Sequence, residues 1–177
     1  MNLSKNISFE NYIFSIIFLG LALLLSGKAE AVASWSADKR FKDNGDKTIT
    51  DSKTGLMWMK EDSYLHSGHW ISWFRSKEFI KQLNKEGFAD QYDWQLPTVE
   101  QLTTLYEIDK TNSKVLGRGM NIHIDPIFAK EGSGSLWSIE ENGHYNAFGV
   151  VFNSGKRFNS SKKSTFRKGI RAVRHLN

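Results

Sequence analysis

The chain has 177 residues, with 24 Lys and Arg against 19 Asp and Glu, a formal charge of +5, and no cysteine. Without cysteine there are no disulfide staples, no thiol catalysis and no thiolate metal site. An aromatic content of 13% argues against disorder, because disordered chains are poor in aromatics.

At the N-terminus, Lys5 precedes an apolar segment, Tyr12–Leu25, followed by Ala29-Glu30-Ala31. This is the order of a secretory signal peptide, cleaved after Ala31 or Ala33. The rival is an uncleaved anchor, but the apolar run is about 14 residues against the ~20 that a helix needs to cross the hydrocarbon core. Lipid attachment at a cysteine behind the segment is excluded. The expected organisation is a signal peptide over 1–31, a short segment over 32–39 and one domain over 40–177. Taking 31 residues from 177 leaves 146, enough for a single domain with its own core. An exported protein of the periplasm, surface or medium is expected, with no membrane span after cleavage.

From Phe41 to Met59 the pattern predicts a small antiparallel meander. Asn44-Gly45 marks a hairpin whose central positions need positive φ, Thr48-Ile49-Thr50 alternates as a strand does, and Ser52-Lys53-Thr54-Gly55 turns the chain into Leu56–Met59. A polar loop is expected around His66–His69. Trp73, Ile80 and Leu83 then fall on one stripe of a helix over Trp70–Lys85, ended by Gly87. Pro97-Thr98 with Gln101 spells a capping box for a second helix, with Val99, Leu102, Leu105, Tyr106 and Ile108 on its buried face. Thr111–Ile122 reads as a loop. Strands return at Leu136–Ile139, Asn146–Phe152, Lys156–Phe158 and Gly169–Val173, with a turn at Asn153-Ser154-Gly155. Helices in the middle and strands at both ends predict an α+β domain in which first and last strands meet.

Five motifs in order carry a resemblance: Asp43-Asn44-Gly45-Asp46 with Thr48-Ile49-Thr50-Asp51, Thr54-Gly55-Leu56-Met57-Trp58, Asp93-Trp94-Gln95-Leu96-Pro97-Thr98, Trp137-Ser138, and Arg171-Ala172-Val173-Arg174. Over Arg40–Arg174 the chain resembles the Lcl C-terminal domain family. It departs from that family at Lys47, where Gly is usual, at Gln95, where Arg is usual, and at Leu136-Trp137-Ser138-Ile139, where a Tyr-Trp-Ser-Ser string is usual. No role of the missing arginine carries over. The resemblance implies an exported bacterial domain of largely uncharacterised function, with a fold like that of C-type lectins and formylglycine-generating enzymes. The chemical parts of both activities are missing: the enzymes need cysteine, and neither Glu-Pro-Asn nor Trp-Asn-Asp, typical of calcium-held sugar sites, occurs here.

Candidate chemistry is sparse. His66 and His69 would share a metal only on a helix and with a third ligand; exposed loop histidines are the plainer expectation. Asp43, Asp46 and Asp51 surround a hairpin, where Asp commonly bonds to nearby backbone, although oxygen ligation of calcium is the alternative. No resident cofactor is expected. Asp93, with Glu100 or Asp90 as partner, is the best candidate for a hydrolytic carboxylate pair; fixing its loop through backbone hydrogen bonds is the plainer role, with Trp94 and Trp137 as core. No catalytic residue is assigned.

The C-terminal segment differs in kind. From Asn153 onward there are eight basic residues and no Asp or Glu, and the charges are interleaved with Phe158 and Phe166. Arg forks and Lys ammonium groups bind sulfate and carboxylate, so Arg157, Lys162, Lys163, Arg167, Lys168 and Arg171 form the expected binding set. The expected function is a non-enzymatic binding or adhesion module for an acidic polysaccharide or anionic envelope polymer, export disfavouring nucleic acid. The alternatives are a glycan hydrolase using Asp93 and a structural subunit of a surface or secretion assembly.

Overall fold

The computed structural model describes residues 33–114 and 119–176, all within the compact unit Ala31–Asn177. The signal segment expected over 1–31 lies outside the described residues. Among the described residues no helix is long and apolar enough to cross a membrane.

The first sheet contains the expected meander. Strands β1 (Ser34–Trp35), β2 (Phe41–Asp43), β3 (Thr48–Asp51) and β4 (Leu56–Met59) follow one another antiparallel. In β4 the two-residue period sends Leu56 and Trp58 into one core cluster and Met57 and Met59 into another, so both faces of the strand are covered. The loop between β2 and β3 holds Gly45 at φ 81° and Lys47 at φ 72°. The second value gives a physical reason for glycine at this position in the resembled family. A β-carbon there costs about 1–2 kcal/mol, partly offset by glycine's greater freedom in the unfolded chain. Lys47→Gly is expected to raise stability by about 0.5 kcal/mol, measured as a higher urea midpoint.

Three helices follow. The first, α1 (Ser63–Ser67), replaces the expected loop around His66: Asp62 caps it, accepting from the Tyr64 and Leu65 amides, and Gly68 ends it at φ 76°. Helix α2 (Trp73–Glu86) begins three residues later than predicted, because Ser72 is its N-cap, and ends at Gly87 as expected. Trp73 and Leu83 are buried, with Ile80 packed beside them. Helix α3 (Val99–Thr104) carries the complete capping box of Thr98 and Gln101. It is shorter than the apolar pattern suggested: Leu102 and Leu105 are buried, but Ile108, expected on the buried face, lies beyond the helix and is 59% exposed.

Part of the expected loop over 111–122 is a short ribbon, β5 (Ser113–Lys114) with β6 (Asn121–Ile122). The second large sheet contains β7 (Ser135–Asn142), β8 (Asn146–Val151) and β9 (Lys156–Ser161). β7 and β9 run further than their apolar residues indicate, since backbone pairing with β8 continues through Glu141, Asn142 and Asn159–Ser161. The single strand expected over Gly169–Val173 is two: β10 (Lys168–Gly169) lies parallel to β7, whereas β11 (Val173–His175) pairs antiparallel with β4. Between them the chain crosses from one sheet to the other, dropping Ile170 into the core beside Trp137 and Ala172 into the core beside Trp94. The last strand thus joins the N-terminal meander, giving the sheet order β1-β2-β3-β4-β11. The fold is mixed α+β.

Helix α2 and β7 are stitched by their indoles. Trp73 Nε1 donates to the Ser138 carbonyl at 2.9 Å, and Trp137 Nε1 donates to the Ile71 carbonyl at 3.0 Å. Trp94 is also buried, its Nε1 donating to the Phe88 carbonyl. Both tryptophans expected in the core are there.

Candidate ligand-binding surface

The cationic tail divides by environment. Lys162 and Arg171, two of the six expected binding residues, are each only 4% exposed, which corrects their assignment to an exposed polyanion surface. Lys162 Nζ donates to Glu141 Oε2 at 2.6 Å and to the carbonyls of Gly143 and His144, so it fastens the β7–β8 turn. Arg171 donates to the carbonyls of Met59 and Lys60 and lies 4.7 Å from the Phe128 ring centroid. Arg174, also buried, clasps Asp93 through Nε and Nη2 at 2.6 and 3.2 Å. That guanidinium holds the Asp93 carboxyl below the usual carboxylate range. Asp93 therefore fixes β11 through an ion pair, and a group held ionised is poorly suited to general-acid work.

Arg157 and Lys163 are exposed; Arg157 lies over the Phe148 ring at 4.4 Å. Arg167 and Lys168 are half-buried and line a groove with Phe166, Asn153 and the start of β7 at Ser135. Among the described residues no carboxylate lines this groove. Arg167 has φ 55°, in the left-handed region, and its Nε and Nη1 are buried without hydrogen-bond partners among the described residues. Lys168 Nζ is held by Ser164 Oγ at 3.0 Å and lies 5.6 Å from both the Trp137 and Phe158 rings. Burial pushes its pKa down. Two cations are thus kept in place with donor capacity facing no internal acid, the arrangement an anionic group requires.

A second groove lies across the same loop, lined by Trp70, Phe79, Arg75, Glu78, Gln82 and Thr165, with His69 at its rim. Sequence reasoning missed it by reading Trp70 as a helix residue; Ser72, a good N-cap type just before the apolar stripe, was the available signal. Tyr64 stacks on Trp70 at 5.4 Å and 21°, and Phe166 meets Trp70 edge-on at 6.1 Å.

The expected metal residues are not brought together. His66 lies in α1, edge-on to Phe79 and Phe88, while His69 falls beyond the Gly68 cap. Asp43 and Asp46 accept from the Gly45 and Thr48 amides, the turn-forming role; Asp51 is buried under Arg40. Among the described residues one acidic cluster has ligand-like spacing, Asp38, Glu107 and Asp125. Its centre is taken by Lys110 Nζ, 2.6 Å from an oxygen of each. Burial alone would lower the pKa of Lys110, but these carboxylates outweigh it and hold the ammonium well above its ordinary value.

A mixed α+β domain closed by its last strand, with a basic groove on the loop leading into that strand, is the class these observations define. The chain belongs to the Lcl C-terminal domain family, a family of largely unknown function whose sequence profile matches residues 47–174. No curated protein matches the chain.

Proposed function

We propose that this is an exported, non-enzymatic binding or adhesion module of C-type-lectin-like architecture, holding an acidic glycan or related surface polyanion in the groove of Phe166, Arg167 and Lys168. The observation that carries the reading is Arg167: a guanidinium with two nitrogens unpartnered among the described residues, in a left-handed backbone conformation, lining a groove to which those residues bring no carboxylate. A buried donor left unpaired costs about 1–3 kcal/mol; a sulfate or carboxylate that reaches these nitrogens from the groove recovers that energy. Arg157 and Lys163 add exposed charge that attracts a polyanion at longer range. Lys162 and Arg171 drop out of the binding set.

Heparin retention tests this. Arg167→Gln with Lys168→Gln is expected to elute at clearly lower salt than the parent. Lys162→Gln is expected to act on stability, with the folded protein retained like the parent. Unchanged elution of the Arg167/Lys168 variant removes the ligand reading.

A further inference from the structure

We propose that the row Tyr64–Trp70–Phe166 is a sugar-stacking strip continuous with Arg167, so that the ligand is a glycan chain crossing the 165–168 loop rather than a single anionic group. This rests on the reading above and deepens it. The rings follow one another at 5.4 and 6.1 Å between centroids, and the Arg167 guanidinium carbon lies 5.1 Å from the Phe166 centroid. Phe166 is 60% exposed and Trp70 half-buried. An exposed ring such as Phe166 covers apolar ring surface of a ligand, while the ligand's polar edge meets hydrogen-bonding groups; Arg75, Glu78 and Gln82 line the Trp70 groove.

The strip is held ready. The Ile71 amide donates to the Lys168 carbonyl at 2.9 Å, the Trp73 amide to the Lys162 carbonyl at 3.1 Å, and the Ser63 amide to the Ile170 carbonyl at 2.8 Å. The segment bearing Trp70 and the loop bearing Phe166 and Arg167 are therefore fixed to one another at both ends, and little ordering remains to oppose binding.

The two parts predict different signatures. Calorimetric titration of the purified protein uses three probes: inorganic sulfate, a heparin disaccharide and a heparin hexasaccharide. Trp70→Ala is expected to weaken the hexasaccharide about tenfold, to leave sulfate and disaccharide binding unchanged, and to keep the salt dependence of the parent. Phe166→Ala, at an exposed position, is expected to weaken the hexasaccharide as well without disturbing the fold, which circular dichroism checks. Arg167→Gln is expected to weaken all three probes and flatten the salt dependence. Hexasaccharide binding that survives both aromatic substitutions but falls with Arg167→Gln overturns the strip and leaves the polyanion reading standing. A parent protein that binds none of the probes overturns both.

Discussion

Arg171→Met is expected to lower the unfolding free energy by about 3–5 kcal/mol, seen as an earlier urea midpoint with unchanged slope. Arg171 is almost wholly enclosed, and its Nη1 donates to the carbonyls of Met59 and Lys60 where β4 leaves the sheet. Burial pushes its pKa down to about 10, against the pull of Asp62 and Glu61, so it is still a cation at neutral pH. A base whose folded pKa lies below its unfolded one costs stability at every pH where it is charged in both states. The charge by itself is therefore no gain; its value lies in what it neutralises.

That partner is Asp62, 1% exposed, whose carboxylate caps α1 and accepts from the Ser133 amide. Asp62, Asn112, Ser133 and Arg171 line a small cavity of about 10 Å³, the room one water needs. Arg171 Nε and Ser133 Oγ have no protein partner among the described residues. Methionine fills the aliphatic path of the arginine but takes a donor from the Met59 carbonyl, leaves the Lys60 carbonyl with the Ala129 amide alone, and leaves Asp62 without its cation. Asp62→Asn keeps a cap acceptor while removing the charge, so the double variant is expected to lose less than the sum of the two single changes. Strict additivity would sink the charge-compensation account. Because Arg171 lines neither of the two grooves described above, the folded fraction of Arg171→Met is expected to retain heparin as the parent does.

Local signals in the sequence survived into the structure; long-range partners did not announce themselves. The Thr98–Gln101 capping box, the Gly87 stop and the hairpin at Gly45 each depend on residues within a few positions, and each is where the sequence placed it. The cationic tail was misread for the opposite reason. Its neighbours in sequence hold no acid, but Lys162 meets Glu141 and Arg174 meets Asp93 across the fold. A charge run looks like a solvated face when only local spacing is counted. Likewise Gly169–Val173 has the apolar content of one strand, yet the two sheets divide it, because Ile170 and Ala172 fill different clusters. Of the six expected binding residues, the two that line the groove are those that directly follow Phe166, where the aromatic interleaving was most evident.

Gly149→Ala is expected to cost about 2–4 kcal/mol, although in extended backbone the same change ordinarily gains about 0.4–1 kcal/mol by restricting the unfolded chain. The sign is decided by what already occupies the space. Gly149 sits in β8 opposite Trp137 on one side and Phe158 on the other, and those rings close over it edge to face at 5.1 Å. An added β-carbon would run into the Leu136 carbonyl and come within 2.5 Å of the Phe158 ring. A half-buried ring can swing aside; a carbonyl in a paired strand cannot. Phe158→Leu in the same chain is accordingly expected to restore only part of the loss, and full restoration would mean that the carbonyl contact is immaterial. The consequence reaches the ligand surface, because Lys168 rests against both rings. Moving Phe158 outward shifts that ammonium relative to Arg167, so Gly149→Ala is expected to weaken heparin retention even at temperatures where the protein is fully folded. An unfolding midpoint equal to the parent's would show that β8 yields at this point, and the close approach of strand and rings would then carry no energetic weight.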